Sequence, residues 1–222
     1  MGSKAFYNCK KLVGELALPS SLKGVNESAF AGGTRDDVSL APKLTSLLGL
    51  ENTKLATVGV AAFKGNMIGG ALTFPVTLDS VGASAFQNNL ITKVSFLNTT
   101  VDKIVLGSSC FQNNKIKTNP LTQGVRFGMA DYAFADNSLT GEFSFENENV
   151  PAPARGVISG NPGVTKVTIS KFWGFIPGDA FKGLAGLKEV VIPANSKFTR
   201  VRAGAFQDCI SLGGVDFGPV SY

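Results

Sequence analysis

The dipeptide Ala-Phe recurs along the whole chain, and this repetition constrains the fold more than any other feature of the sequence. The phenylalanines, with that of one Cys-Phe variant included, are Phe6, Phe30, Phe63, Phe86, Phe111, Phe134, Phe181 and Phe206. They follow one another at 23 to 25 residues, apart from intervals of 33 and 47, and Val157-Ile158 divides the longer one into 24 and 23. The 222 residues therefore predict one domain of about nine repeats, the second with an insertion of about ten residues near Arg35–Thr53. A unit this small cannot bury its own apolar side chains, so the repeats must stack.

Positions at fixed distances from each anchor residue, which is the phenylalanine or Ile158, keep their chemical character. Two residues after the anchor every repeat has Gly, Asn or Asp, which tolerate the left-handed backbone that ends a helical turn. We therefore expect each anchor to lie on a short helical or 3₁₀ turn. Three residues after the anchor, Asn or Cys predominates, and an inward-facing Asn is predicted to bond backbone groups of a neighbouring repeat.

Short strands are predicted after each turn, because apolar residues alternate there over about three positions. The pairs Leu72/Phe74, Val94/Phe96 and Val167/Ile169 are examples, whereas Asn119-Pro120 interrupts the expected strand of the fifth repeat. Stacking places the strands side by side in one parallel sheet, with the turns on the opposite side. Glu142, Lys166 and Glu189 precede consecutive strands and are predicted to form a ladder of alternating charge.

The three cysteines fall in repeat columns that lie far apart in the predicted stack. Cys9 and Cys209 share one column eight repeats apart, a separation of roughly 38 Å at about 4.8 Å per strand, and Cys110 lies between them. A disulfide needs Cα atoms within roughly 7 Å. We therefore predict three free, buried thiols.

The composition argues against an active site. The chain has no His, which removes the usual general base and the commonest metal ligand. It has no phosphate-binding loop, no Cys-x-x-Cys pair and no apolar run long enough to span a membrane. We expect no catalytic residues, no cofactor and no metal.

The repeat unit resembles the BspA-like leucine-rich repeats of bacterial and protist surface proteins, and the resemblance covers essentially the whole chain. The run Val81-Gly82-Ala83-Ser84-Ala85-Phe86-Gln87-Asn88-Asn89 carries it, together with Val190-Val191-Ile192-Pro193. It implies a right-handed α/β repeat solenoid on a cell surface or secreted, with no catalytic residues and no fixed ligand residues to carry over. Because neither end resembles a polar capping repeat, we expect this chain to be a segment of a longer array.

Two groups of side chains are candidates for contact with a partner. The aromatic group is Phe172, Trp173 and Phe175, of which Trp173 falls in an apolar column and is predicted to be core. The basic group is Lys197, Arg200 and Arg202, near the end of a chain whose net charge is +5. Basic clusters attract anionic partners, but we favour the interpretation of this group as a solvated rim.

Two functions remain open at this point. The resemblance implies an adhesion or protein-binding module whose ligand is a protein or glycan on a host cell, the extracellular matrix or another microbe. The alternative is a structural spacer that projects other domains. Nucleic acid is not expected as a partner, because the aromatic residues are committed to core columns. A surface patch centred on Phe172 and Phe175, or on the inserted segment Gly33–Asn52, favours binding.

Overall fold

The computed structural model describes residues 1–32, 41–97, 103–121, 125–146, 154–194 and 198–215, which form a parallel β-solenoid. In chain order the strands are β1 (Val13–Ala17), β2 (Gly24–Val25), β3 (Lys43–Leu48), β4 (Thr57–Val58), β5 (Gly69–Phe74), β6 (Ser80–Val81), β7 (Leu90–Phe96), β8 (Ile104–Leu106), β9 (Phe127–Met129), β10 (Thr140–Ser144), β11 (Gly163–Thr168), β12 (Phe175–Ile176), β13 (Glu189–Val191) and β14 (Arg200–Val201). Within these ranges one 3₁₀ helix occurs, Leu50–Asn52, and no helix is long enough to cross a membrane.

The strands lie on two faces of the solenoid, so the prediction of a single sheet is wrong. The long-strand face carries the sheets β1-β3, β5-β7 and β10-β11-β13, and the short-strand face carries β2-β4-β6-β8-β9 and β12-β14. The second face forms because the apolar residue five positions before most anchors lies in a short strand of its own. Val25 pairs with Val58, and Val58 with Val81, each at most 2% exposed.

The sheet on the long-strand face is interrupted where the sequence predicts it. Residues 115–121 contain no strand, and the sheet therefore ends at β7 and resumes at β10. The Asn119 side chain links this strandless coil to β10 by donating to Ser144 O at 3.0 Å, and it accepts a hydrogen bond from Leu121 N of its own coil at 2.9 Å. Pro120 has no N–H for a ladder, which explains why the strand cannot form here.

Part of the predicted insertion is a strand. Lys43–Leu48 forms β3, which pairs with β1, while residues 33–40 lie outside the described residues. A register shift between Gly14 and Glu15, with Gly14 at φ 85°, makes the buried residues Leu44 and Leu47 lie three positions apart. The same shift occurs between β5 and β7 and between β10 and β11, so β3 differs from the recognised strands in having Gly49, and not an apolar residue, two positions after Leu47.

The Ala-Phe segments are not helical, which corrects the prediction of a short helical or 3₁₀ turn at each anchor. Residues two before and two after the anchor are both left-handed, as at Ser84 (φ 54°) and Asn88 (φ 60°). The anchor N–H donates to the next coil of the solenoid, from Phe86 to Cys110 O at 2.8 Å, while Gln87 N bonds within the turn to Ser84 O. Alternate donors thus leave the turn, and no helix can propagate. The predicted left-handed position after the anchor is confirmed.

The anchor side chains form a stack of parallel rings inside the solenoid. Phe30, Phe63, Phe86, Phe111 and Phe134 follow one another at 5.2 to 5.5 Å between centroids, with planes within 12°. All five are at most 1% exposed. Offset stacking of this kind adds stability beyond the burial of apolar area.

Trp173 belongs to the core, as its column predicts. Its side chain is fully buried, 4.8 Å from the Phe145 ring and 6.5 Å from the Phe181 ring. This removes Trp173 from the candidate contact residues.

A column of buried asparagines ties successive coils together, which confirms the expectation for this position. Asn114 donates to Phe111 O of its own coil at 3.1 Å and to Phe86 O of the preceding coil at 2.9 Å. Its Oδ1 accepts from Ile91 N at 3.1 Å. Equivalent bonds are made by Asn66, Asn89, Asn137 and Asn161.

The predicted charge ladder has the expected register. Glu142 pairs with Lys166, and Lys166 with Glu189, whose carboxylate lies 3.3 Å from the Lys166 ammonium. Glu142 instead accepts a hydrogen bond from Thr168 at 3.1 Å. Both contacts are partly solvated and contribute little to stability.

The cysteines are all free, as predicted, but one of them is not buried. Cys110 is fully buried, and Cys209 donates to Phe181 O at 3.0 Å, continuing the asparagine column. Cys9 is exposed. Burial raises the pKa of both the Cys110 and the Cys209 thiols.

We predict that Asn114→Ala lowers the free energy of unfolding by about 3 kcal/mol, because it leaves buried N–H and C=O groups without partners. Urea denaturation followed by circular dichroism measures this. The control is Asn113→Gly, since Asn113 is exposed and left-handed and its side chain bonds only the exposed Asn88. A similar loss in both variants would contradict the role of the asparagine column.

We predict that iodoacetamide labels Cys9 rapidly in the native protein and Cys110 far more slowly. Burial denies the reagent access to Cys110 and disfavours its reactive thiolate. Peptide mapping by mass spectrometry after timed labelling measures the rates, and the urea-denatured chain, in which all three must react, is the control. Equal native rates would show that the Cys110 coil opens readily.

Candidate functional site

A depression of about 800 Å³ lies on the short-strand face, where β12 pairs with β14. Four successive coils line it, through Asp131, Ala154, Arg155, Phe175, Pro177, Gly178, Arg200, Arg202 and Ala203. Its volume falls in the range of pockets that hold small ligands or single side chains of a partner. We call it the arginine groove.

The arginine groove follows from the repeat. Phe175 and Arg200 are register partners, so their side chains lie on the same side of the sheet, while Ile176 on the alternate side is fully buried. Gly178 and Ala203 occupy equivalent positions three residues before their anchors, and their small side chains leave the space open.

Arg202 is held against an aromatic ring. Its guanidinium carbon lies 3.9 Å from the centroid of the half-buried Phe175 ring. Stacking of this kind favours the cation and fixes the plane of the guanidinium. Neither Arg200 nor Arg202 makes an ion pair with any residue that the structure describes.

Arg155 is positioned by two carboxylates from the adjacent coils. Its Nε donates to Asp179 Oδ2 at 2.6 Å, with a second contact from Nη2 to the same oxygen. Its backbone N–H donates to Asp131 Oδ1 at 2.8 Å. The hydrogen bond to Asp179 raises the pKa of the Arg155 guanidinium. Arg155 is thus charge-paired, in contrast to Arg200 and Arg202.

The structure brings together three of the five residues predicted for partner contact. Phe175, Arg200 and Arg202 all line the groove. Phe172 does not: it is 42% exposed elsewhere on the surface, with the Lys171 ammonium 5.2 Å from its ring. Lys197 lies outside the described residues.

Asp131 and Arg155 were missed in the sequence because they lie 42 to 71 residues from the basic cluster. Both stand three positions before an anchor, the same column as Gly178 and Ala203. A comparison of that column across repeats would have found them, since stacking makes residues one or two repeats apart neighbours.

The side chains of the groove suit the binding of an anion. Three arginines stand against Asp131 and Asp179, so one positive charge is in excess. Arginine donates hydrogen bonds but does not exchange its proton near neutral pH. Within the described ranges no three His, Cys, Asp or Glu side chains are placed to hold a metal ion.

We predict that Asp179→Asn releases the Arg155 side chain while the fold is kept, since Asn also tolerates the left-handed backbone at this position (φ 54°). The expected result in a ¹H–¹⁵N NMR spectrum is a large shift of the Arg155 Nε–H resonance, because its partner at 2.6 Å loses its charge. The Nε–H resonance of Arg126, which does not line the groove, serves as the reference. An unmoved Arg155 resonance would contradict the pairing.

Comparison with known proteins agrees with the observed solenoid. The sequence profile of the BspA type leucine rich repeat region matches residues 1–48, 43–151 and 159–220, in six copies. The division into nine repeats stays a prediction. A search of curated proteins finds no significant match.

Solved structures with a similar chain course share little sequence with this protein. A leucine-rich repeat protein from Bacteroides ovatus ATCC 8483 is 19% identical, with a TM-score of 0.47, over 95% of this chain and 62% of that one. A leucine rich cell surface protein from Faecalibacterium prausnitzii A2-165 is 17% identical, with a TM-score of 0.49, over 98% and 63%. The pneumococcal vaccine antigen PcpA is 16% identical, with a TM-score of 0.36, over 93% and 68%.

The chain thus spans less than two thirds of the first two of these proteins. The profile, in contrast, matches nearly the whole chain, in agreement with the repeated Ala-Phe turns and the parallel β-solenoid. The protein belongs to the family of BspA-type leucine-rich-repeat proteins.

Proposed function

We propose that this chain is a non-enzymatic, protein-binding module that works in adhesion at a microbial cell surface or after secretion. The observation that carries the proposal is the arginine groove, in which the repeat gathers Phe175, Arg200 and Arg202 in one concave site. Repeat solenoids commonly use such extended faces to bind partners. Surface location is proposed from the family, whose members resemble one another in being exposed or secreted.

The chemistry of the groove supports binding rather than catalysis. Asp131 and Asp179, which line or border it, both accept hydrogen bonds from Arg155 and are not free to act as acid and base. Among the residues that the structure describes, the lining contains no Ser, Thr, Cys or Lys that could act as a nucleophile. Aromatic and arginine side chains are the residues in which binding energy concentrates at protein interfaces.

We predict that the immobilised protein retains at least one purified matrix protein, such as a collagen, laminin or fibronectin, and that retention depends on the groove. The double variant Arg200→Gln, Arg202→Gln is expected to weaken it at least about tenfold, because neither charge has an ion-pair partner in the described part of the chain. Surface plasmon resonance with purified ligands measures the affinity.

The matched control is Arg126→Gln, which removes an exposed arginine that does not line the groove. It is expected to leave the affinity unchanged. A spacer array, the alternative function, would retain no matrix protein, host cell or microbial cell above the background of an unrelated solenoid. That outcome would contradict adhesion and favour a spacer that projects other domains.

A further inference from the structure

We propose that the arginine groove recognises one carboxylate on an acidic segment of the partner protein, a glutamate or aspartate side chain seated between Arg200 and Arg202. This inference rests on the proposed protein-binding function and specifies the chemistry of its ligand. The charge of the groove, the contact of Arg202 with Phe175 and the apolar walls support it.

The charge of the groove matches a single anionic group. Arg155 is already satisfied by Asp179, whereas Arg200 and Arg202 have no carboxylate partner among the described residues. The one positive charge in excess is neutralised by one carboxylate. A polyanion would place a second anionic group nearby, and the carboxylate of Asp131 on the lining would repel it.

The geometry of Arg202 favours a carboxylate over a sugar. A planar guanidinium presents parallel N–H donors that fit the two oxygens of a carboxylate. The Phe175 ring holds that plane in place at 3.9 Å before any ligand arrives, which reduces the entropy lost on binding. The same contact covers the ring face on which a sugar would otherwise stack, so the aromatic group supports the arginine instead of a glycan.

The lining of the groove places apolar walls beside its charged groups. Phe175, Pro177 and Ala203 form these walls in a depression of about 800 Å³, in which Arg200 and Arg202 are exposed. Apolar walls can contact the methylene groups of a glutamate while the arginines bind its carboxylate.

The test is an NMR titration of the ¹⁵N-labelled full chain with a capped Gly-Ser-Glu-Ser-Gly peptide. We expect saturable shifts of the Arg200 and Arg202 Nε–H resonances, with a dissociation constant in the range of roughly millimolar for so small a ligand. The shifts should shrink as ionic strength rises from roughly 0.05 to 0.5 M, because salt screens the interaction. The matched Gly-Ser-Gln-Ser-Gly peptide should produce none.

Two variants separate charge from shape. Arg202→Gln is expected to weaken binding at least about tenfold. Ala203→Phe keeps every charge but fills the groove, and it should abolish the shifts of Arg200. Arg126→Gln is the control that should bind like the original protein. Each variant is first checked for an unchanged dispersion of backbone amide resonances.

Two outcomes would overturn the inference. Equal binding of the glutamine peptide would show that charge is not what is recognised. If a heparin-derived oligosaccharide saturates the arginine resonances while the glutamate peptide does not, the groove is a glycan site. These results are distinguishable from failure of the proposed function: matrix retention that persists in the double variant leaves adhesion intact, whereas loss of all retention by the original protein does not.

Discussion

The whole solenoid depends on each coil satisfying the buried polar groups of the coil beside it. A parallel stack of short turns leaves many amide groups without partners inside their own turn, and unpaired buried groups are costly. The structure meets this demand in two ways. The anchor N–H donates to the next coil, as from Phe63 to Ala85 O at 2.8 Å, and an asparagine such as Asn89 bridges Phe63 O and Ile68 N. The aromatic stack then fills the interior that these bonds enclose.

The same constraint builds the candidate site. The residue two positions before the anchor is left-handed, as at Ser84 and Asp179. At Asp179 this places a carboxylate beside Arg155, which belongs to the preceding coil. The left-handed position that the turn requires for its inter-coil bonds therefore also orients one arginine of the groove, while Arg200 and Arg202 remain available to a ligand.

Much of the fold could be predicted from the repeat columns, and the errors have physical causes. Asn114, Trp173 and the Glu142–Lys166–Glu189 register were predicted because a column reports one environment repeated many times. The helical turns were wrongly predicted because left-handed glycine and asparagine occur at helix ends and also in these turns, whose N–H groups alternate between bonds within the turn and bonds to the next coil. The sequence of β3 was not recognised as a strand because the buried Leu47 is followed two positions later by Gly49, so the alternating apolar pair of the other strands is missing.

The sequence by itself determined that the chain stacks, which residues face the interior and that no disulfide can form, because these properties depend on spacing along one repeat. Only the tertiary structure decided which exposed side chains meet across repeats. Phe175 and Arg202 are 27 residues apart in the chain but in contact at 3.9 Å, and Arg155 is drawn to the same place by Asp179. That convergence depends on the exact twist, register and side-chain reach of three neighbouring coils, which no single repeat encodes.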